Sequence, residues 1–146
     1  MSDFRKLSET MFASPQIAAG DIARARELGI ALVINNRPEG ESDDQTPGAE
    51  IEAAARAAGM DYVAIPVTMQ TIAGSAAAAM VQALGQARGP VLAYCRSGTR
   101  STLLWSLAQA STGVDPDAIT AAAAAAGYDV APIRPLLEGL AARRGG

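Results

Sequence analysis

Histidine does not occur in this chain, and cysteine occurs once, at position 95. The first absence removes Cys–His dyads, Ser–His–Asp triads and histidine-ligated zinc from the possible chemistries. The second removes an internal disulfide and leaves too few thiolates for a zinc or iron–sulfur centre. Neither a metal nor an organic cofactor is implied. Charge of one sign is also scarce: 15 acidic and 12 basic residues give a net charge of −3, with no block of like charges. No basic stripe threaded with aromatics is present, which argues against nucleic acid as a partner. Long apolar runs are missing too. Nothing approaches the roughly 18 uninterrupted apolar residues of a membrane span, and the alanine runs at 76–79 and 121–126 are short and helix-prone. The opening "MSDFRKLSET" has no charged n-region followed by an apolar h-region, so no secretory signal is predicted and a reducing cytoplasm is the expected compartment.

What is present is an alternation of short apolar runs and helical periodicity. The 146 residues suffice for one domain, 1–146, with a core of its own. Residues 4–13 can supply one or two short strands. "SPQIAAGDIARARELG" reads as a helix stopped by Gly29, and "IALVIN" at 30–35 as a buried strand. After the polar, breaker-rich "NRPEGESDDQTPG" come a helix to Gly59, a strand over 61–67, a helix from Gly74 and a strand over 90–95. Three helices follow, of which "DPDAITAAAAAAG" has the clearest start, Asp115 as N-cap with Pro116 behind it. This order predicts an α/β fold with a mostly parallel central sheet and helices on both faces. Functional groups in such sheets gather at the carboxyl ends of the strands. Cys95, Arg37 and the "IPVTMQ" segment all fall at such ends.

The stretch that carries chemistry is "GPVLAYCRSGTRSTLLW", residues 89–105. A lone cysteine closing a buried strand is commonly just a small apolar residue, but "RSGTRS" is too polar and too cationic to fill a core. A thiol becomes a useful nucleophile at a helix N-terminus beside guanidinium groups, and this loop offers both. The backbone N–H groups of Arg96, Ser97, Gly98, Thr99, Arg100 and Ser101 can curl around a point above the sulfur, with Gly98 supplying the needed freedom. Arg100 adds a fork of donors for an oxyanion. The Ser101 hydroxyl is expected to hydrogen-bond the thiolate.

"YCRSGTRS" resembles the active loop of single-domain rhodaneses and, more broadly, the cysteine–arginine loops of the protein-tyrosine-phosphatase-like superfamily. Together with "SPQI", "INNRPEGE", "IPV" and Trp105, it makes residues 4–111 similar to the bacterial beta-lactamase-hydrolase-like, phosphatase-like domain family, whose members are described as candidate sulfur transferases. The resemblance implies a phosphatase-like fold and catalysis through Cys95 and Arg100. It leaves the reaction open.

Two features of the sequence bear on that choice. Tyrosine phosphatases place five residues between cysteine and arginine, whereas four intervene here, as in rhodaneses, and Ser101 stands where a phosphatase has its arginine. Phosphatases also protonate the leaving oxygen with an aspartate some tens of residues upstream, yet no Asp or Glu occurs from Tyr62 to Tyr94. Asp61 is expected at the wrong end of its strand, so only Glu39, Glu41, Asp43 or Asp44 could stand in. Sulfur transfer needs no acid. The expected reaction is therefore attack by Cys95 on thiosulfate or a small persulfide, followed by delivery of the sulfur to a thiol acceptor. The alternatives are a phosphatase acting on a phosphate ester through a phosphocysteine, and a non-catalytic thiolate sensor or anion-binding module.

Arg37 is a candidate for the donor's anionic end, against a solvated turn or a plain Arg37–Glu41 salt bridge. Arg96 is placed at the rim. Leu103, Leu104, Trp105, Leu107, Met69 and Met80 are assigned to packing. The terminal "RRGG" resembles the tail of ubiquitin-like sulfur carriers, but the helical character before it favours a frayed end.

Overall fold

In the computed structural model, which describes residues 2–145, the apolar runs assemble into a five-stranded sheet. Its strands are β1 (Arg5–Ser8), β2 (Met11–Ser14), β3 (Leu32–Asn35), β4 (Asp61–Ala64) and β5 (Val91–Tyr94), in the spatial order β1-β2-β5-β3-β4. Only the β1–β2 pair is antiparallel, and β5 runs parallel to both β2 and β3. The helices are α1 (Ile22–Glu27), α2 (Gly48–Ala57), α3 (Ser75–Gln86), α4 (Thr99–Ser111), α5 (Pro116–Ala125) and α6 (Arg134–Gly145). The fold is α/β, with the helices on both faces of the sheet.

Alternation along the strands sets which face each residue serves. Leu32, Ile34, Val91 and Ala93 point into the larger apolar cluster, which also takes Leu103, Leu104, Trp105, Leu107 and Met80. Val33, Leu92 and Tyr94 point the other way, into a smaller cluster closed by Ile22, Ala25, Ile51 and Ala55 of α1 and α2. The central strands β3 and β5 are buried throughout, as short continuous apolar runs covered on both sides should be. Helix α4 is buried over Ser101–Ala108 and at Ala110 because the sheet, α3, α5 and α6 surround it. Removing a leucine such as Leu104 from water contributes about 1.5–3 kcal/mol. The hydroxyls on this buried helix are satisfied locally: Thr102 donates to the Gly98 carbonyl and Ser106 to the Thr102 carbonyl.

The expectations for the elements are met in type and differ at edges. The helix predicted over "SPQIAAGDIARARELG" shrinks to α1 behind a 3-10 turn at Ala19–Asp21. Asp21 turns its carboxylate back to the Ala18 N–H at 2.8 Å, and the Gln16 N–H is taken by the Arg96 carbonyl at 3.1 Å. Residues 15–18 thus brace the cysteine loop instead of extending a helix. Met69, assigned to packing, is instead 53% exposed in the turn after β4. Of the terminal "RRGG", α6 reaches Gly145, and Gly146 lies outside the described residues. No described helix is long and apolar enough to cross a membrane.

Candidate active site

Three parallel strands deliver the site. Cys95 leaves the end of β5, Asn36 and Arg37 leave the end of β3, and Ser14 closes β2. The Cys95 N–H bonds to the Ser14 carbonyl at 3.3 Å, and the Asn36 N–H to the Tyr94 carbonyl at 2.8 Å, so these three ends are tied side by side. Cys95 is fully buried, yet it belongs to neither apolar cluster. Its sulfur accepts the Gly98 N–H at 3.1 Å.

Gly98 is the N-cap of α4 with φ of +93°, a left-handed conformation that glycine adopts without strain. Space demands glycine as well, because a Cβ would overlap the Tyr128 hydroxyl. Tyr128, from the α5–α6 connection, donates to the Ser97 carbonyl at 3.1 Å and carries Arg5 over its ring at 5.0 Å. Burial raises the Tyr128 phenol above its ordinary value, with Arg5 opposing and the neighbouring Cys95 assisting. Ser97 and Arg96 are exposed on the rim, and Ser97 bonds the Thr99 hydroxyl and accepts the Thr99 N–H.

Arg100 sits in the first turn of α4 with its side chain 13% exposed. Nη1 donates to Glu41 Oε2 at 2.7 Å and to the Val67 carbonyl at 2.9 Å, while Nη2 donates to Glu41 Oε1 at 2.8 Å. The Glu41 bonds raise its proton affinity, burial lowers it, and the Cys95 sulfur raises it further, so guanidinium and thiol share one space. A guanidinium has five N–H groups. Nε–H and the second Nη2 hydrogen have no partner among the described hydrogen bonds, and they lie on one edge as a bidentate fork.

Glu41 is the acidic residue that folds over the cysteine loop. Its carboxyl is lowered from 4.5 to about 2, first by the Arg100 hydrogen bonds, against the cost of burial, and then by Arg37. Of the other candidates, Glu39 accepts the Gly48 N–H at 2.6 Å at the start of α2, and Asp44 accepts the Ser42 hydroxyl at 2.7 Å. Asp43 is exposed. Asp61 pairs with Arg88 at 3.2 Å at the opposite end of the sheet. Arg37 is neither a solvated turn residue nor open to the outside. It is 4% exposed, and it donates to Glu41 at 2.9 Å, Gln16 at 3.0 Å and Ser42 at 3.0 Å.

Ser101 does not reach the sulfur. Its hydroxyl donates to Asn36 Oδ1 at 2.8 Å, because the helical turn beginning at Thr99 swings position 101 beneath the loop. Asn36 itself was missed in the sequence, although a pair of asparagines at a strand end is a signal. Its side-chain amide donates to the Ile65 carbonyl at 2.9 Å and its backbone carbonyl accepts the Val67 N–H at 3.1 Å, which places Val67 against Arg100. Tyr128 and Gln16 were missed because only tertiary contact brings them here. A concavity of about 420 Å³ lined by Thr10, Met11, Trp105 and Gln109 opens at the amino ends of the strands, away from Cys95, and contains no nucleophile that the site uses.

The beta-lactamase hydrolase-like protein, phosphatase-like domain family matches residues 3–112. The chain belongs to this family. It is 36% identical over 108 residues to the beta-lactamase hydrolase-like protein of Agrobacterium fabrum, covering 74% of this chain and 25% of that protein. The chain therefore spans about a quarter of that relative's length. Among solved structures, a candidate phosphatase from Neisseria meningitidis superposes with a TM-score of 0.85 at 36% identity, covering 96% of this chain and 99% of the other. P. aeruginosa TpbA in complex with pTyr gives a TM-score of 0.66 at 17% identity over 99% of this chain and 91% of the other, a likeness of fold alone. The protein-tyrosine-phosphatase-like fold expected from the cysteine loop is thus shown.

Proposed function

We propose that this family member is a cysteine-dependent phosphomonoesterase. One observation carries the reading: beside a sulfur that accepts a loop amide, Arg100 is held by Glu41 and Val67 so that one bidentate edge is left unoccupied. A phosphoryl group fits that edge through two oxygens. Cys95 attacks phosphorus as its thiolate, the P–O bond to the leaving group breaks with its electron pair, and water then hydrolyses the phosphocysteine to release phosphate.

Glu41 is held ionised by two cations, and no Asp or Glu lies between Tyr62 and Tyr94. The leaving oxygen receives no proton from these groups, so the substrates served best are esters of acidic alcohols, aryl phosphates before alkyl phosphates. The same two facts favour a second reading, sulfur transfer, whose leaving groups need no proton; the four-residue spacing from Cys95 to Arg100 points the same way.

Incubation with p-nitrophenyl phosphate separates them. The phosphomonoesterase releases p-nitrophenol and, on acid quench, carries one phosphoryl group on Cys95, and Cys95→Ser abolishes both. A one-sulfur mass increase on Cys95 after thiosulfate, discharged by cyanide and without phosphate release, replaces this reading with the sulfur transferase. Neither product leaves a thiolate sensor.

A further inference from the structure

Arg37 has no place in the steps just given, yet it is the most deeply buried charged residue of the site edge, and it is tied to both loops that meet there. Through Gln16, whose N–H is held by the Arg96 carbonyl, it connects to the cysteine loop. Through Ser42 and Glu41 it connects to the loop that folds over. Its own backbone is locked as well, since the Arg37 N–H bonds to Asn35 Oδ1 at 2.9 Å at the end of β3.

An isolated glutamate–arginine pair near the surface contributes little, because two long side chains must be ordered to form it. Glu41 is not in that situation. Its Oε1 accepts from Arg37 Nε at 2.9 Å and from Arg100 Nη2 at 2.8 Å, while Oε2 is engaged by Arg100 Nη1. Turning the carboxylate would break bonds to both cations. The end of the Arg100 guanidinium is thereby fixed, and the unoccupied Nε–Nη2 edge has one direction. The group of two guanidiniums and one carboxylate keeps a net positive charge, so the carboxylate fixes the cation without cancelling its attraction for an anion.

We propose that Arg37 is a positioning residue that aims the open fork of Arg100 through Glu41, without contacting the substrate. This rests on the phosphomonoesterase reading and adds a residue to it. A fork that must meet oxygens moving into their transition-state positions loses rate when it is displaced, and a displacement of an ångström can cost on the order of 100-fold.

The test uses the full chain, p-nitrophenyl phosphate as substrate and vanadate as a probe of the oxyanion site. Arg37→Lys and Glu41→Gln are each expected to lower kcat by about 10-fold or more while KM stays within about threefold, with vanadate inhibition weakened in parallel. Ser42→Ala, which removes one bond to Arg37, should move the same quantities in the same direction by less, and it serves if the Arg37 variant does not fold. The double variant Arg37→Lys/Glu41→Gln should be no slower than the slower single one, because both act through one guanidinium. Additive losses, or an unchanged kcat in Arg37→Lys, would overturn the proposal. Tighter vanadate binding in Glu41→Gln would also overturn it, by making Glu41 a competitor for Arg100. Should the wild type hydrolyse no aryl phosphate, the functional reading fails separately. Calorimetric titration with tungstate then decides the relay: weaker binding in the same variants upholds it, and unchanged binding refutes it.

Discussion

At position 98, conformation and space make the same demand. The φ of +93° costs a residue with a Cβ about 1–2 kcal/mol, and the added carbon would overlap the Tyr128 hydroxyl, an overpacking of about 1–3 kcal/mol. Gly98→Ala is expected to lose roughly 2–5 kcal/mol in a urea melt, and Tyr128→Phe in the same chain should recover part of that loss by removing the overlapping oxygen. A loss with no recovery would place the strain wholly in the backbone. The need for glycine at 98 was legible in the sequence, and of the amides expected around the thiol the Gly98 N–H is on the sulfur while the Thr99 N–H turns to the Ser97 hydroxyl. The partners of these groups were not legible. Ser101 turned beneath the loop to Asn36, and Arg37 turned inward to Glu41, Gln16 and Ser42, because hydrogen-bond direction depends on where other segments lie in space.

The elements show the same division. Helix α5 begins where its local chemistry says it should: the Asp115 side chain accepts the Asp117 N–H at 3.0 Å, with Pro116 at the first helical position. Asp115→Ala should therefore cost about 1 kcal/mol, read as a fall of roughly 3 °C in the melting midpoint for a chain of this size. An unchanged midpoint would mean that packing of α5 on α4, not its cap, holds the helix. Local signals of this kind also set the buried strands β3 and β5. They failed at residues 15–18, where helical periodicity yields to a backbone bond with Arg96. They failed again at Met69, an apolar residue that is left more than half exposed.

For the molecule as a whole, the lack of histidine removes the side chain that ordinarily titrates between pH 5 and 8. Acid sensitivity enters lower. Glu41 binds fewer protons folded than unfolded, since its carboxyl is lowered from 4.5 to about 2. The stability it contributes is complete above about pH 4.5 and is lost as pH falls toward about 2. Urea melts at several pH values should show wild type more stable than Glu41→Gln above pH 5, with the gap closing toward pH 2–3 as the wild-type carboxyl takes up its proton. A gap that does not change with pH would mean that the charge of Glu41 is not what it contributes.

The groups around the sulfur come from Ser14 and Gln16, from Asn36 to Glu41, from Val67, from Cys95 to Ser101 and from Tyr128. No contiguous peptide contains them, so the apparatus cannot be excised as a fragment or kept by a half-assembled intermediate. Whatever chemistry the cysteine loop supports is accordingly a gauge of the chain's integrity, lost when any one of those five stretches comes loose.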